Sequence, residues 1–333
     1  MFNLSVIGIS AALITYFCIS DNGLSDLLKS DIHIHILWII LAVVCQIGGM
    51  FIDSVLNFLF IRQQYPKFSL FNGIQSSFIG SFFSAVTPSA SGGQPAQLVF
   101  LSRKHIEIGF ATSCLTQKFV IFQMTSTVLS IFALIIRFDF FVSVVNVPFL
   151  WICLIFGFVS QIFTTALVSV VSFSDKISKM FIRISEKLLK KMKFIKNPEN
   201  KVASLQEQVS FFHSANRNLL KKPKLMLMSF ILIFIQILFI FLIPYCIYRS
   251  FSLEGTSVSD ILCSQSFVSI SSAMIPLPGA AGASELAFSV FFEMFFGKLF
   301  LKSALLIWRT ITYYGVIVLC FPFSFLTSKK EVV

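Results

Sequence analysis

Charge is scarce in this chain. Asp, Glu, Lys and Arg make up 12 % of its 333 residues, about half of the ~25 % usual in soluble domains. So few charged side chains cannot cover a water-facing surface, which excludes a soluble enzyme, and the apolar content excludes a disordered chain. Histidine occurs four times, and His33-x-His35 is the one pair with metal-like spacing; it reads as part of a surface loop. The seven cysteines (Cys18, Cys45, Cys114, Cys153, Cys246, Cys263 and Cys320) all lie in apolar segments and form no CxxC pair. They read as buried small hydrophobes, which excludes a disulfide-stapled secreted domain. The sequence has no Gly-x-Ser-x-Gly elbow and no pair of catalytic acids, so an intramembrane enzyme ranks last among its readings. No metal or other cofactor is expected.

What is abundant is apolar surface. Hydrophobic residues make up 56 % of the chain, phenylalanine alone occupies 42 positions, and the mean hydropathy is +0.87. A bilayer is the solvent in which such a composition is stable. A helical span takes ~20 apolar residues. The predicted full spans are 2–20, 36–61, 107–136, 142–172, 225–250 and 303–326. The first lacks a basic leader and a small-residue cleavage site, so it reads as a retained span rather than a signal peptide.

The net charge of +11 is concentrated. Residues 174–224 carry thirteen Lys or Arg against Asp175, Glu186, Glu199 and Glu207, which is nine of the eleven net charges. The positive-inside rule places this loop in the cytoplasm. It has no base-stacking pattern, and no nucleic acid is expected as a partner. Within it Ile177, Met180, Phe181, Ile184, Leu188, Met192 and Ile195 recur every three or four residues among lysines. That pattern predicts a basic amphipathic helix over 176–196, lying on anionic inner-leaflet lipids or packed on the membrane body. Arg62, Lys67, Arg103, Lys104, Lys329 and Lys330 fit six spans with both termini in the cytoplasm, a topology that satisfies every basic cluster except Lys298 and Lys302.

Two apolar segments do not fit as plain spans. Residues 69–101 are flanked by Lys67 and Arg103, so both ends belong on the cytoplasmic side, and the middle reads Pro88-Ser-Ala-Ser-Gly-Gly-Gln-Pro95. Residues 256–297 have both ends outside, and their middle reads Pro276-Leu-Pro-Gly-Ala-Ala-Gly-Ala-Ser-Glu285. Proline removes backbone donors and glycine opens the backbone. Irregular backbone at membrane depth is tolerated only when buried in protein or lining a wet cavity. Each segment therefore predicts a re-entrant helical hairpin beside a polar cavity; ordinary loops between short helices are the alternative. Span, hairpin, span occurs over 36–136 and again, reversed, over 225–326. The predicted fold is an all-α polytopic membrane protein: one integral membrane domain over 1–333, with about six transmembrane helices and two re-entrant hairpins in an inverted repeat.

A charge at the centre of a membrane helix costs ~2.5–3.5 kcal/mol, so it needs a partner or water. Asp53, Lys118, Glu285 and Arg309 occupy such positions, with Gln46 near the first and Tyr313 and Tyr314 just after the last. Two acids and two bases balance, and they are expected to pair across the repeat interface. Lys118 and Arg309 suit an anionic headgroup such as a phosphate. Helix N-termini after Pro95 and Gly282 add backbone donors. Asp53 and Glu285 alternatively titrate and couple proton movement. Ser89, Ser91, Gln94 and Gln97 offer neutral hydrogen bonds. With Gly92, Gly93, Pro278, Gly279, Gly282 and Tyr313 these residues form the candidate substrate cavity; simple packing of the small residues is the alternative. On the functional reading, Arg309→Ala and Glu285→Ala stop transport and leave expression near normal.

These motifs, namely 88–95, Gln117-Lys118, Pro276-x-Pro-Gly-x-x-Gly-x-x-Glu285, and Arg309 with its tyrosine pair, resemble the lysylphosphatidylglycerol synthase transmembrane-region family. That family includes the flippase half of the multiple peptide resistance factor and stand-alone membrane proteins. The resemblance covers roughly 5–327. It departs from the family at Gly93-Gln94, where Gly-Glu is usual, and at Lys118, where Arg is common. The resemblance implies movement of a modified phospholipid such as lysyl-phosphatidylglycerol from the inner to the outer leaflet, linked to resistance against cationic antimicrobial peptides. Full-length relatives add a soluble domain that transfers lysine from charged tRNA. This chain ends at Val333, and no such domain is expected in it, although family labelling as a phosphatidylglycerol lysyltransferase is one reading. The leading expectation is a lipid translocase of the cytoplasmic membrane for an aminoacylated phospholipid, a glycolipid or a polyprenyl-phosphate carrier. The alternatives are a membrane subunit working with a separate lipid synthase, and an ion-coupled transporter of a small solute. A homo-oligomer is left open.

Overall fold

The computed structural model describes residues 34–138, 148–173, 198–272 and 277–325, all helix or short connection with no strand among them. The expected first span at 2–20, the amphipathic helix at 176–196 and Pro276 lie outside the described residues. Helix α1 runs Ile36–Ile61 and α2 Leu70–Val86, the latter opened by Ser69, whose side chain accepts from the Asn72 N–H. A single turn at Pro88–Ala90 leads into α3, Gly93–Arg103, and then α4, Ile108–Ile136. Next come α5, Pro148–Phe173, and α6, Pro198–Leu220. The second half holds α7, Pro223–Ser250, and α8, Val258–Ser272. A second single turn, Pro278–Ala280, precedes α9, Ala283–Arg309; a π-turn at Thr310–Tyr314 joins it to α10, Gly315–Ser324.

Among the described residues four stretches are long and apolar enough to cross a bilayer: Ile36–Ile61, Ile108–Ile136, Pro223–Ser250 and Pro278–Ser324. The stretch expected at 142–172 appears as α5, with a shorter apolar core over Leu154–Val170. The second hairpin limb and the last span, expected as separate pieces, form one apolar run. The backbone marks their boundary at Gly297, where φ is +61° and ψ 172° and the helix breaks. Glycine reaches this conformation without a Cβ clash.

The two halves repeat. One constant shift in numbering carries Pro88 onto Pro278, Ser89 onto Gly279, Ala90 onto Ala280 and Gly92 onto Gly282. Both turns hold their second and third residues at positive φ: +51° and +53° at Ser89 and Ala90, +60° and +50° at Gly279 and Ala280. Their hydrogen bonds correspond as well. Ala90 N–H donates to Thr87 O and Ser91 N–H to Pro88 O, as Ala280 N–H does to Leu277 O and Ala281 N–H to Pro278 O. The same shift carries α1 onto α7, α2 onto α8 and α4 onto the run after Gly297.

The repeats run in opposite directions. His35 N–H, at the start of α1, donates to Ser250 O at the end of α7, over 2.9 Å. Midway, Gly48 faces the Phe239 ring and Gly49 lies beside Gln236 and Ile240. The equivalent helices thus cross antiparallel at their centres, and the missing Cβ atoms permit the close approach.

The two halves are filled differently. In the second, Phe267, Phe288, Phe291, Phe292 and Phe296 are fully buried, with Phe288 stacked on Phe292 at 4.4 Å and on Trp308 at 4.9 Å. In the first, the positions that the shift relates to Phe267, Ile270 and Trp308 are Ser77, Gly80 and Lys118, and an open space replaces the rings.

Helix α6 lies within the basic loop, after the amphipathic helix expected at 176–196, where no helix was read from sequence. It docks on α4 and α5. Gly109 N–H donates to Gln208 Oε1 at 2.8 Å, Gln117 bonds Asn216 directly, and Asn216 and His213 each reach Ser172 O at 3.1 Å. A Cβ at Gly109 would sit 2.6 Å from Gln208 O. Gly109→Ala should therefore separate α6 from α4 at a cost of about 1–3 kcal/mol, typical of overpacking. A lowered melting temperature with faster tryptic cleavage beside α6 is the expected readout; an unchanged protein would mean that the docking is not tight.

Candidate polar cavity and hairpin junction

The tips of the two broken segments meet. Tyr313 Oη, in the π-turn, donates to Ala85 O at the end of α2 over 3.1 Å. The Tyr313 ring lies so close to Gly279 that a Cβ there would stand 2.4 Å from it. Gly279 is thus required twice, for its positive φ and for its lack of a side chain.

Behind the second tip lies a buried ion pair. Glu285, in the first turn of α9, accepts from Arg309 Nε at 2.7 Å, and Arg309 Nη2 stands 2.7 Å from the same oxygen. Arg309 Nη2 also donates to Gly279 O at 3.0 Å and bonds the Ser284 hydroxyl. The other carboxylate oxygen accepts from Gly282 N–H at 2.6 Å and from Ser284 Oγ at 3.1 Å. The guanidinium is flanked by the Trp308 and Tyr313 rings at 5.3 and 5.4 Å. The side chains are 10 % and 6 % exposed. The pair fixes the hairpin tip to the helix that follows it.

A second ion pair stands apart, in the first half. Asp53 of α1 and Lys118 of α4 are 2.9 Å apart. Asp53 also accepts from Ser77 Oγ at 2.5 Å, and Lys118 Nζ donates to Asn57 Oδ1 at 2.7 Å. The four charges therefore pair within each half, not across the repeat interface as the sequence suggested. The reason is spatial: α1 packs on α4 in the first half, and the break at Gly297 lets the two ends of α9 meet in the second.

The Asp53–Lys118 pair borders a half-open cavity of about 310 Å³ between α1, α2, α3, α4 and α7. Gln46, Gln94, Gln97 and Gln236 line it with Ser81, Ser84, Phe119 and Phe122, and no other charged residue does. Helices α2 and α3 run antiparallel along its wall because glycines let them. A Cβ at Gly80 would collide with the Gln97 amide, and one at Gly93 with Ser84 Oγ.

Of the residues marked by sequence, Gly93, Gln94, Gln97, Asp53 and Lys118 meet at this cavity. Pro278, Gly279, Gly282, Glu285, Arg309 and Tyr313 build the junction instead. Ser89 and Ser91 are exposed on the first tip, where Ser91 Oγ donates to Pro88 O, and Gly92 N–H donates to Thr87 Oγ1. Sequence reasoning missed Gln236, Ser77, Gly80, Ser81 and Ser84. Gln236 carried a signal: it is an uncharged polar residue inside the most apolar span, and the repeat relates it to Gln46. The serines carried none, because small hydroxyl residues are common in membrane helices for packing alone.

Antiparallel halves, two broken segments joined tip to tip and a polar cavity among lipid-length apolar helices define a multi-pass membrane protein of repeat architecture, in contact with membrane lipids. Its family is shown by sequence. Residues 3–320 match the lysylphosphatidylglycerol synthase TM region, and the chain belongs to that family. It is also similar to a UPF0104 membrane protein of Archaeoglobus fulgidus, at 21 % identity over 252 residues and 74 % of each chain. No solved structure matches it.

Proposed function

We propose that this protein moves a modified lipid between the leaflets of the cytoplasmic membrane, passing its headgroup through the cavity beside Asp53 and Lys118. The observation that carries this reading is the cavity itself: a polar space of about 310 Å³ among apolar helices, walled by the broken segment α2–α3. Inverted-repeat transporters build their sites from interrupted helices, and α2–α3 is one of the two interrupted segments here. The topology that fits the basic clusters has both termini and the basic loop in the cytoplasm. The hairpins at 69–101 and 256–297 then enter from opposite faces. Lysyl-phosphatidylglycerol is the cargo that the family description suggests. Its outward movement would make the outer surface less anionic and so oppose cationic peptides. A separate synthase would supply such a lipid.

The test is leaflet-resolved transport in vesicles containing only this protein, with acyl-labelled phosphatidylglycerol and lysyl-phosphatidylglycerol, and with lysine-charged tRNA in a parallel arm. Accelerated exchange of labelled lipid is expected. New lysyl-lipid formed without movement would replace the translocase reading with a synthase.

A further inference from the structure

The chemistry of the cavity narrows the headgroup, provided that it is the translocation site proposed above. Its two charged side chains neutralise each other at 2.9 Å, and Ser77 and Asn57 take up further hydrogen-bonding capacity of the pair. A phosphate entering there would meet a lysine already paired with a carboxylate. A headgroup with two ammonium groups and one phosphate would bring a net positive charge that nothing else in the lining offsets. Away from bulk water such an unpaired charge is costly.

The remaining polar lining is neutral and, unlike the charged pair, unsatisfied. The amides of Gln46, Gln94, Gln97 and Gln236 have no hydrogen-bond partner among the described residues. Gln97 is the telling case. It is 6 % exposed, it is held against Gly80 on the cavity wall, and its amide has no hydrogen-bond partner among the described residues. Gln46 and Gln236 are half-buried and Gln94 is exposed, so these amides are open to water that an occupant would replace. Together the four offer an entering headgroup neutral donors and acceptors around the cavity.

An amide presents an acceptor oxygen and two donor hydrogens. Four amides with the hydroxyls of Ser81 and Ser84 suit a ligand that both donates and accepts at each position, which is what a sugar hydroxyl does. An anion uses the donors alone and leaves the carbonyl oxygens without a donor. Phe119 and Phe122 add apolar ring faces for the C–H face of a pyranose.

We propose that the cavity takes an uncharged, hydroxyl-rich headgroup: a hexose carried on diacylglycerol.

The experiment uses the full chain in vesicles of phosphatidylglycerol and phosphatidylethanolamine. Acyl-labelled glucosyl-diacylglycerol, phosphatidylglycerol and lysyl-phosphatidylglycerol are compared, and a membrane-impermeant reductant reads the outer leaflet. The glucosyl lipid should exchange at least about tenfold faster than phosphatidylglycerol. Gln97→Ala and the double change Gln46→Ala with Gln236→Ala should each slow it about tenfold, the loss expected for one good hydrogen bond. Gln94→Ala, at the exposed mouth, should slow it in the same direction and serves if Gln97→Ala does not fold. Faster exchange of lysyl-phosphatidylglycerol or phosphatidylglycerol than of the glucosyl lipid would overturn the headgroup assignment and leave the translocase standing. Uptake of radiolabelled free glucose with no lipid exchange would overturn the lipid source. No transport of any probe by folded protein would overturn both readings.

Discussion

Glu285→Ala should leave little folded protein. Arg309 would keep its hydrogen bonds to Gly279 O and Ser284 but lose its carboxylate in a site where its side chain is 6 % exposed. Breaking one side of a buried pair costs about 3–5 kcal/mol, because the remaining charge is stranded, and that is a large part of the stability of a typical domain. Gly282 N–H would lose its acceptor as well. Arg309→Ala should be equally damaging, since it strands Glu285 and releases Gly279 O. Substituting both, Glu285→Leu with Arg309→Met, should be milder than either single change, because no charge is left behind. Fluorescence-detected size-exclusion chromatography after stepwise heating separates these outcomes. If either single variant melts like the parent, the pair does not anchor the tip. This expectation differs from the one the sequence supports, in which the same alanine variants fold normally and only transport is lost. The geometry makes loss of folding the first effect.

Lys118→Met should strand Asp53 at the cavity wall. Asp53 is 22 % exposed and keeps Ser77, so the cost is smaller, about 2–3 kcal/mol. The protein should be recoverable but shifted to lower melting temperature. Transport should fall severely, at least about a hundredfold, because an unpaired carboxylate faces the headgroup and draws in water. The decisive variant is the double substitution Asp53→Asn with Lys118→Met. If the cavity handles an uncharged headgroup, the double variant should recover to within about tenfold of the parent. If Lys118 instead binds an anionic headgroup, Lys118→Met and the double variant should be equally inactive, and Asp53→Asn alone should be the active one. Stability and transport measured on all three variants tell these apart.

Much of the fold is legible from periodicity and composition. Helices α1, α4 and α7 fall within two residues of the spans read from sequence, because a lipid-facing helix must be apolar over its whole length and charge must stop it. The two interruptions were visible because Pro88, Gly92 and Gly93, and Pro278, Gly279 and Gly282, are residues that continuous helix rejects. Their matched order also suggested two similar halves. Helix α6 was not legible. Its docking depends on Gly109, Gln117 and Asn216, which are distant in sequence and individually unremarkable in type.

The candidate site was legible only in part. Sequence alone determined that this is a helical membrane protein, where its backbone is broken, and that Asp53, Lys118, Glu285 and Arg309 each need a partner at depth. It could not assign the partners, because ion pairing follows distance in space, and the helices that bring Asp53 to Lys118 and Glu285 to Arg309 are set by packing of the whole bundle. Nor could it show that the pseudo-symmetric halves differ in filling. Phenylalanine at 267 and tryptophan at 308 close one half, while Ser77 and Lys118 leave the equivalent space open in the other. Only the tertiary structure decided that, since a cavity is a property of what surrounds a point, and those surroundings come from five helices spread over two hundred positions of the chain.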